Sequence, residues 1–266
     1  MAKFSIITPV TYDLDNGEEL RMPRYKMFQR CITSVQSQTI KDFVWVIADD
    51  MCNPPVEKIP GNATIIRLPE KSGRIIATNR ALEAAEGEWI CFLDADDEYS
   101  SIYLEAINDA IRLNPEYKVF NMNHLIYDYN YKTWIRKFIN MAVQGKRPFP
   151  SGVIGTGSYF FHRSVLEDVG LFPEMGLWEF SGDFFEKYPE TKVFFEVKGE
   201  PGQYNSLGNP WGTDYHLFYR ITRKYDCKYL DTALYYVHSR WGHKWNEDPE
   251  YIIDPGKAPE VNPNNI

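Results

Sequence analysis

Four carboxylates crowd one short stretch of the chain. Trp89–Tyr99 reads WICFLDADDEY, so an apolar run ends in Asp94, Asp96, Asp97 and Glu98. Like charges packed together repel unless a cation lies between them. Asp94-Ala95-Asp96 sets two carboxylates on a loop at a strand end, where both can reach one hard ion. Mg2+ and Mn2+ favour oxygen ligands, and often take only one or two carboxylates with substrate phosphates filling other positions. The economical chemistry is a divalent ion that grips a diphosphate. The plainer alternative is a solvated acidic turn, with Asp97 or Glu98 capping the helix that follows.

Such a loop needs elements to hold it, and the first third of the chain supplies an alternating set. FSIIT (Phe4–Thr8), FVWVIA (Phe43–Ala48), TIIRL (Thr64–Leu68) and WICFL read as strands. Between them, Met27, Phe28, Cys31, Ile32 and Val35 fall at helical spacing within 25–38, and RIIATNRALEAA (Arg74–Ala85) predicts a second helix closed by Gly87. Strands alternating with helices predict an α/β fold, a mostly parallel sheet covered on both faces. Ligands in such sheets bind at the carboxyl ends of the strands. Three strand ends carry useful polar groups: Thr8-Pro9, Asp49-Asp50 and Asp94-Ala95-Asp96. Neighbouring strands would bring all three to one crevice.

The second half is less regular. A helix is expected over 102–113, stopped by Asn114-Pro115, then one or two aromatic strands over 118–140. Residues 141–210 are rich in Gly, Pro and aromatics; a last helix is expected from Thr213 to Lys224. LYYVHSRWGHKW and a Pro/Asn-rich tail complete the chain. We expect a nucleotide-binding half over 1–99, an acceptor-binding and catalytic half over 100–247, and a tail over 248–266. Residues 129–163 hold no Asp or Glu but include Lys132, Arg136, Lys137, Lys146, Arg147 and Arg163 among aromatic rings. The stretch reads as a groove for an anionic acceptor, or as an aromatic sheet face with lysines on its wet side.

Composition excludes some classes. Of 266 residues, 44% are apolar and 25% charged, as in an ordinary globular protein large enough to need no staples. The net charge of −8 argues against broad nucleic-acid binding, though not against a local basic patch. Cys31, Cys52, Cys91 and Cys227 are far apart with no CxxC pair, which predicts thiols in a reducing compartment. No apolar run approaches a membrane span, and MAKFSIITPV is too short in apolar residues for a signal peptide. A cytoplasmic protein, at most peripheral to a membrane, is expected. No GxGxxG follows the first strand, which disfavours a dinucleotide-dependent dehydrogenase.

Three blocks together resemble the GT-A glycosyltransferases of family 2. They are SIITPVTY (Ser5–Tyr12), SVQSQTIKDFVWVIADD (Ser34–Asp50) and SGRIIATNRALEAAEGEWICFLDADD (Ser72–Asp97). The likeness continues more weakly in GTGSYFFHRSVLEDVGLFPE (Gly155–Glu174), WGTDYHLFYRI (Trp211–Ile221) and YYVHSRW (Tyr235–Trp241). It implies a GT-A fold, a Rossmann-like sheet with a C-terminal acceptor-binding subregion. It also implies metal-dependent, inverting transfer of a sugar from a nucleotide-diphospho-sugar, a UDP-sugar being favoured, to a glycan or lipid-linked acceptor hydroxyl. Mn2+ or Mg2+ would be the cofactor. Position by position, Thr8, Pro9 and Tyr12 would line the base pocket, and Asp49 or Asp50 would accept a hydrogen bond from the base. Arg74 would meet the nucleotide, and Asn79 would hold the loop near Asp94-Ala95-Asp96. Asp94 would contact ribose or metal, and Asp96 would ligate the metal, with Asp97 behind it or capping a helix. His238 would complete the metal site, with His243 a nearby rival. Asp214 would be the general base, a position that also suits a helix cap. Trp178 and Trp211 would lie near the acceptor.

This sequence departs from the family pattern at Asp49-Asp50-Met51-Cys52, at Thr78-Asn79-Arg80, at Thr213 and in the insertion over 13–26. The departures bear on which nucleotide is bound. Three other functions remain: the same chemistry on a hydroxylated base of phage DNA, a non-catalytic nucleotide-sugar binder, and a sugar nucleotidyltransferase. The last wants a Gly-rich phosphate loop after the first strand, where TPVTYDL stands.

Overall fold

A computed structural model describes residues 2–14, 24–128, 133–137, 156–172 and 213–238. The strands are β1 (Phe4–Val10), β2 (Phe43–Asp49), β3 (Ala63–Arg67), β4 (Trp89–Phe92), β5 (Glu98–Tyr99), β6 (Val119–Asp128), β7 (Thr133–Lys137), β8 (Tyr159–His162) and β9 (Cys227–Val237). The helices are α1 (Arg24–Gln36), α2 (Arg74–Glu83), α3 (Tyr103–Leu113), α4 (Ser164–Val169) and α5 (Thr213–Lys224).

The strands form one nine-stranded sheet in the order β3-β2-β1-β4-β8-β6-β9-β5, with β7 added to β6. From β3 to β4 every pairing is parallel. Beyond β4, β8 runs antiparallel to both β4 and β6, and β9 runs parallel to β6. The two halves expected from the sequence therefore share one sheet.

Apolar runs without polar alternation make sense because helices cover both faces. Alternate residues of each strand go to opposite cores. Phe4, Ile6, Trp45, Ile47, Trp89 and Cys91 pack with Phe28 and Cys31 of α1 and Leu104 and Ile107 of α3. Ile7, Val46, Ala48, Ile90 and Phe92 pack with Ala77 and Ala81 of α2, Val165 of α4 and Leu217 and Phe218 of α5. All four cysteines are buried free thiols. Among the described residues, no helix is long and apolar enough to cross a membrane.

Candidate active site at the strand ends

In the sheet, β1 lies between β2 and β4. The three polar strand ends are therefore neighbours at one edge of a parallel sheet, where such folds bind ligands. Asp50 N–H bonds the Val10 carbonyl at 2.9 Å, and the Thr11 hydroxyl donates to the Asp50 carbonyl at 3.0 Å, tying the ends of β1 and β2 together.

The two carboxylates after β2 are both buried and both partnered. Asp49 accepts from Cys52 N–H at 2.7 Å and Val56 N–H at 3.1 Å, and pairs with Arg67 of β3 at 2.7 Å. It fixes the loop leaving β2. Asp50 accepts from the Ser72 and Gly73 amides at 2.6 and 3.0 Å. It therefore holds the entry to α2, where Gly73 adopts a φ of 84° that glycine tolerates. Directly after them, Met51 has a φ of 58° and keeps its side chain exposed. Base recognition by Asp49 or Asp50 would use lone pairs beside these bonds.

Arg74, the first residue of α2, is placed by Asp50's grip on the preceding turn. Its guanidinium lies 2.9 Å from both Asp94 oxygens. Side-chain exposures of 46% for Arg74 and 26% for Asp94 show a pair open to solvent, able to re-partner when a charged ligand arrives.

The acidic loop after β4 is a closed turn, with Asp97 N–H bonded to the Asp94 carbonyl at 3.0 Å. Asp94, Asp96 and Asp97 each bring a carboxylate oxygen to within 4.8 Å of the other two. Hard divalent cations take such oxygen donors, so this set fits Mg2+ or Mn2+. Ala95 packs against the core beneath the turn. Burial, followed by the charges of Asp96 and Asp94, pushes Asp97 well above the usual carboxylate range. The Tyr235 hydroxyl and the His238 amide partly offset this by hydrogen bonding.

His238 is brought to the site by β9, and its backbone N–H donates to Asp97 Oδ1 at 3.1 Å. Its ring, however, lies against a different acid. Nε2 is 2.6 Å from Glu98 Oε1, and Glu98 also pairs with Arg30 of α1 at 2.7 Å. The His238 ring, expected as a metal ligand, is paired with Glu98 here, and Asp94, Asp96 and Asp97 make up the acidic cluster. Burial holds the His238 pKa below its ordinary value.

Two further candidates are buried. Thr8 is fully buried, and its hydroxyl accepts from the Trp45 indole N–H at 2.9 Å, so it braces the core rather than lining an open pocket. Asn79 is also buried; its amide donates to the Phe172 carbonyl at 2.8 Å and accepts from Phe172 N–H at 3.1 Å. It clamps the segment after α4, where the Phe172 ring packs on Phe92 of β4, the strand that leads into the acidic turn. Pro9 is partly buried at the rim, and Tyr12 is buried, edge-on to Tyr25. Asp214 lies in the first turn of α5, with its side chain outside the described residues. Trp178, Trp211, His243, most of the basic stretch and the tail also lie outside them.

Sequence reasoning missed the part played by Tyr235, whose hydroxyl bonds Asp97 from β9. Only the tyrosine pair Tyr235-Tyr236 beside His238 marked the place.

Comparison with known proteins agrees with this geometry. Residues 22–170, more than half of the chain, match the family model for glycosyl transferase family 2. A teichoic acid poly(glycerol phosphate) polymerase of Staphylococcus epidermidis is 34% identical over 92 residues, covering 30% of this chain and 13% of the relative. A putative teichuronic acid biosynthesis glycosyltransferase, TuaG of Bacillus subtilis, is 33% identical over 81 residues, covering 28% of this chain and 32% of the relative. The chain thus spans under a third of either curated relative. Among solved structures, residues 1–349 of S. aureus TarS in complex with UDP superpose with a TM-score of 0.57 at 18% identity, covering 89% of this chain and 60% of that one. The mannosyltransferase PcManGT from Pyrobaculum calidifontis, in complex with GDP-Man and Mn2+, superposes with a TM-score of 0.54 at 15% identity, covering 89% and 56%. These two likenesses establish the fold.

Proposed function

Because the chain belongs to glycosyl transferase family 2, we propose that it transfers a sugar from a nucleotide-diphospho-sugar to an acceptor hydroxyl, with Asp94 and Asp96 as ligands to a divalent cation. The fold is the GT-A fold of that family. The observation that carries the reading is the adjacency of three strand ends, with Asp94, Asp96 and Asp97 converging at one of them. A cation bound there supplies positive charge to the leaving diphosphate. Mn2+ is the favoured ion, since a neighbouring fold was solved with Mn2+ and a nucleotide-sugar. UDP-sugars are the favoured donors, since the TarS fragment binds UDP and UDP-GlcNAc.

The chain's own residues divide the work. Pro9 and Tyr12 form the β1 rim beside the base, with Asp49 and Asp50 behind it. Arg74 exchanges part of its contact with Asp94 for the donor phosphates. Asp214 takes the proton from the attacking hydroxyl, and a single displacement inverts the anomeric centre. A positioned base contributes about 10²–10⁴-fold. Asp214→Asn should therefore lower kcat by that order while leaving UDP affinity unchanged.

For the acceptor, the favoured class is an anionic cell-wall glycopolymer or its lipid-linked precursor. Two curated relatives are named for teichoic and teichuronic acid synthesis, and the acid-free stretch 129–163 offers complementary charge. The test is a transfer assay with UDP-sugars and Mn2+, using teichoic-type polymer or its lipid-linked precursor as acceptor. Labelled polymer supports the reading. Release of UDP without transfer to any of these acceptors overturns the acceptor class and keeps the donor chemistry. Neither release nor transfer with any nucleotide-sugar overturns both.

A further inference from the structure

Tyr235 is a buried polar side chain in direct contact with the acidic turn. It is 2% exposed, although its ring carries a hydroxyl that must find partners. A phenol has one proton to give and lone pairs to accept. Here the proton goes to Asp97 Oδ2 at 2.8 Å, and the oxygen accepts from Asp94 N–H at 3.2 Å. One hydroxyl therefore touches both ends of the turn that carries the candidate ligands.

The neighbouring backbone completes the hold. His238 N–H takes the other Asp97 oxygen at 3.1 Å, so β9 grips both oxygens of that carboxylate. The ring is fixed as well. Tyr99 meets it edge-on at 5.7 Å, and Tyr99 is itself stacked on Tyr103 at 3.7 Å. On another side lies Gly157, where any Cβ would overlap the Tyr235 ring. The Tyr103 hydroxyl reaches the Gly157 carbonyl at 3.5 Å. A glycine is thus needed at 157 so that the ring can stand under the turn.

We infer that Tyr235 is a positioning residue for the metal site, acting through Asp97 and the Asp94 amide to set the spacing of the Asp94 and Asp96 carboxylates. This rests on the metal reading above and deepens it. It also separates the three acids: Asp94 and Asp96 face the cation, and Asp97 transmits the hold of the last strand. Groups that orient ligands from behind typically tune metal affinity 10–100-fold.

The test is a Mn2+ titration of the full chain in the presence of UDP, followed by the electron paramagnetic resonance signal of free Mn2+. Wild type, Tyr235→Phe, Gly157→Ala and Asp96→Asn are compared, with a thermal unfolding midpoint for each. Tyr235→Phe keeps the ring and removes only the hydroxyl. It should raise the Mn2+ Kd by about tenfold and leave kcat at saturating Mn2+ close to wild type. Gly157→Ala displaces the ring and keeps the hydroxyl; it should weaken Mn2+ in the same direction, and serves if Tyr235→Phe fails to fold. Asp96→Asn should lose the ion. A folded Tyr235→Phe with wild-type Mn2+ affinity overturns the inference alone, because a merely structural tyrosine would move the midpoint and not the Kd. Wild-type protein that takes up no Mn2+ overturns the metal reading, and the inference with it.

Discussion

Asp49, Asp50 and Asp94 stand at strand ends where a sequence reader expects ligand contacts, and each already has protein partners. Arg67 and two loop amides hold Asp49, the α2 entry holds Asp50, and Arg74 holds Asp94. Asp96, a member of the acidic cluster with Asp94 and Asp97, can be tested by one substitution. Asp96→Asn should abolish any Mn2+-dependent gain in unfolding midpoint with UDP, while the midpoint of the bare protein stays near wild type. Met51 offers a second test. A methionine in the left-handed region costs about 1–2 kcal/mol, and part of that gain is lost to the greater freedom of glycine in the unfolded chain. Met51→Gly should therefore raise stability by about 1 kcal/mol or less in a denaturant melt; a clear loss would show that the exposed side chain makes a contact of its own. The carboxylates were legible because acids at a strand end are a local pattern. Their partners were not: Arg67 and Ser72 are 18 and 22 residues away from Asp49 and Asp50, and no periodicity marks them.

Elements were read well where one period dominates. The helix expected over 213–224 is observed with those bounds, and the first four strands lie within a few residues of their expected places. Pairing was harder. Nothing local indicates that β8 enters antiparallel beside β4, or that β9 passes β6 to reach β5. That path places Tyr235 and the His238 amide on a turn 138 to 141 residues earlier. Asn79 illustrates the same limit: the sequence places it near the acidic loop but does not show its partner, the backbone of Phe172, 93 residues on, whose ring packs on Phe92 of β4. Asn79→Ala would leave two buried backbone groups unsatisfied, at about 1–3 kcal/mol each. A fall of that order in unfolding free energy is expected, with UDP affinity falling less than in variants at Arg74. An Asn79→Ala protein of normal stability that has lost UDP would return Asn79 to the nucleotide site.

On the scale of the whole molecule, a parallel sheet whose polar strand ends are neighbours is extended by mixed strands that carry His238, and the helix bearing Asp214 packs on the same sheet. Family membership favours the glycosyltransferase reading over a sugar nucleotidyltransferase. The acceptor side rests on charge, and salt should report it. If the acceptor is a polyanion gripped by the basic stretch, its affinity should fall steeply between low and physiological salt, whereas UDP binding with Mn2+ should change little. Equal salt dependence of the two would remove the basic stretch from acceptor binding. The central claim is that Asp94 and Asp96 hold a cation that in turn holds a nucleotide diphosphate. The most direct measurement is calorimetric titration of UDP into the protein, with and without Mn2+, for wild type and Asp96→Asn. The account predicts binding that needs Mn2+ in wild type and is lost in the variant. UDP binding of equal strength without metal, or in Asp96→Asn, would contradict it.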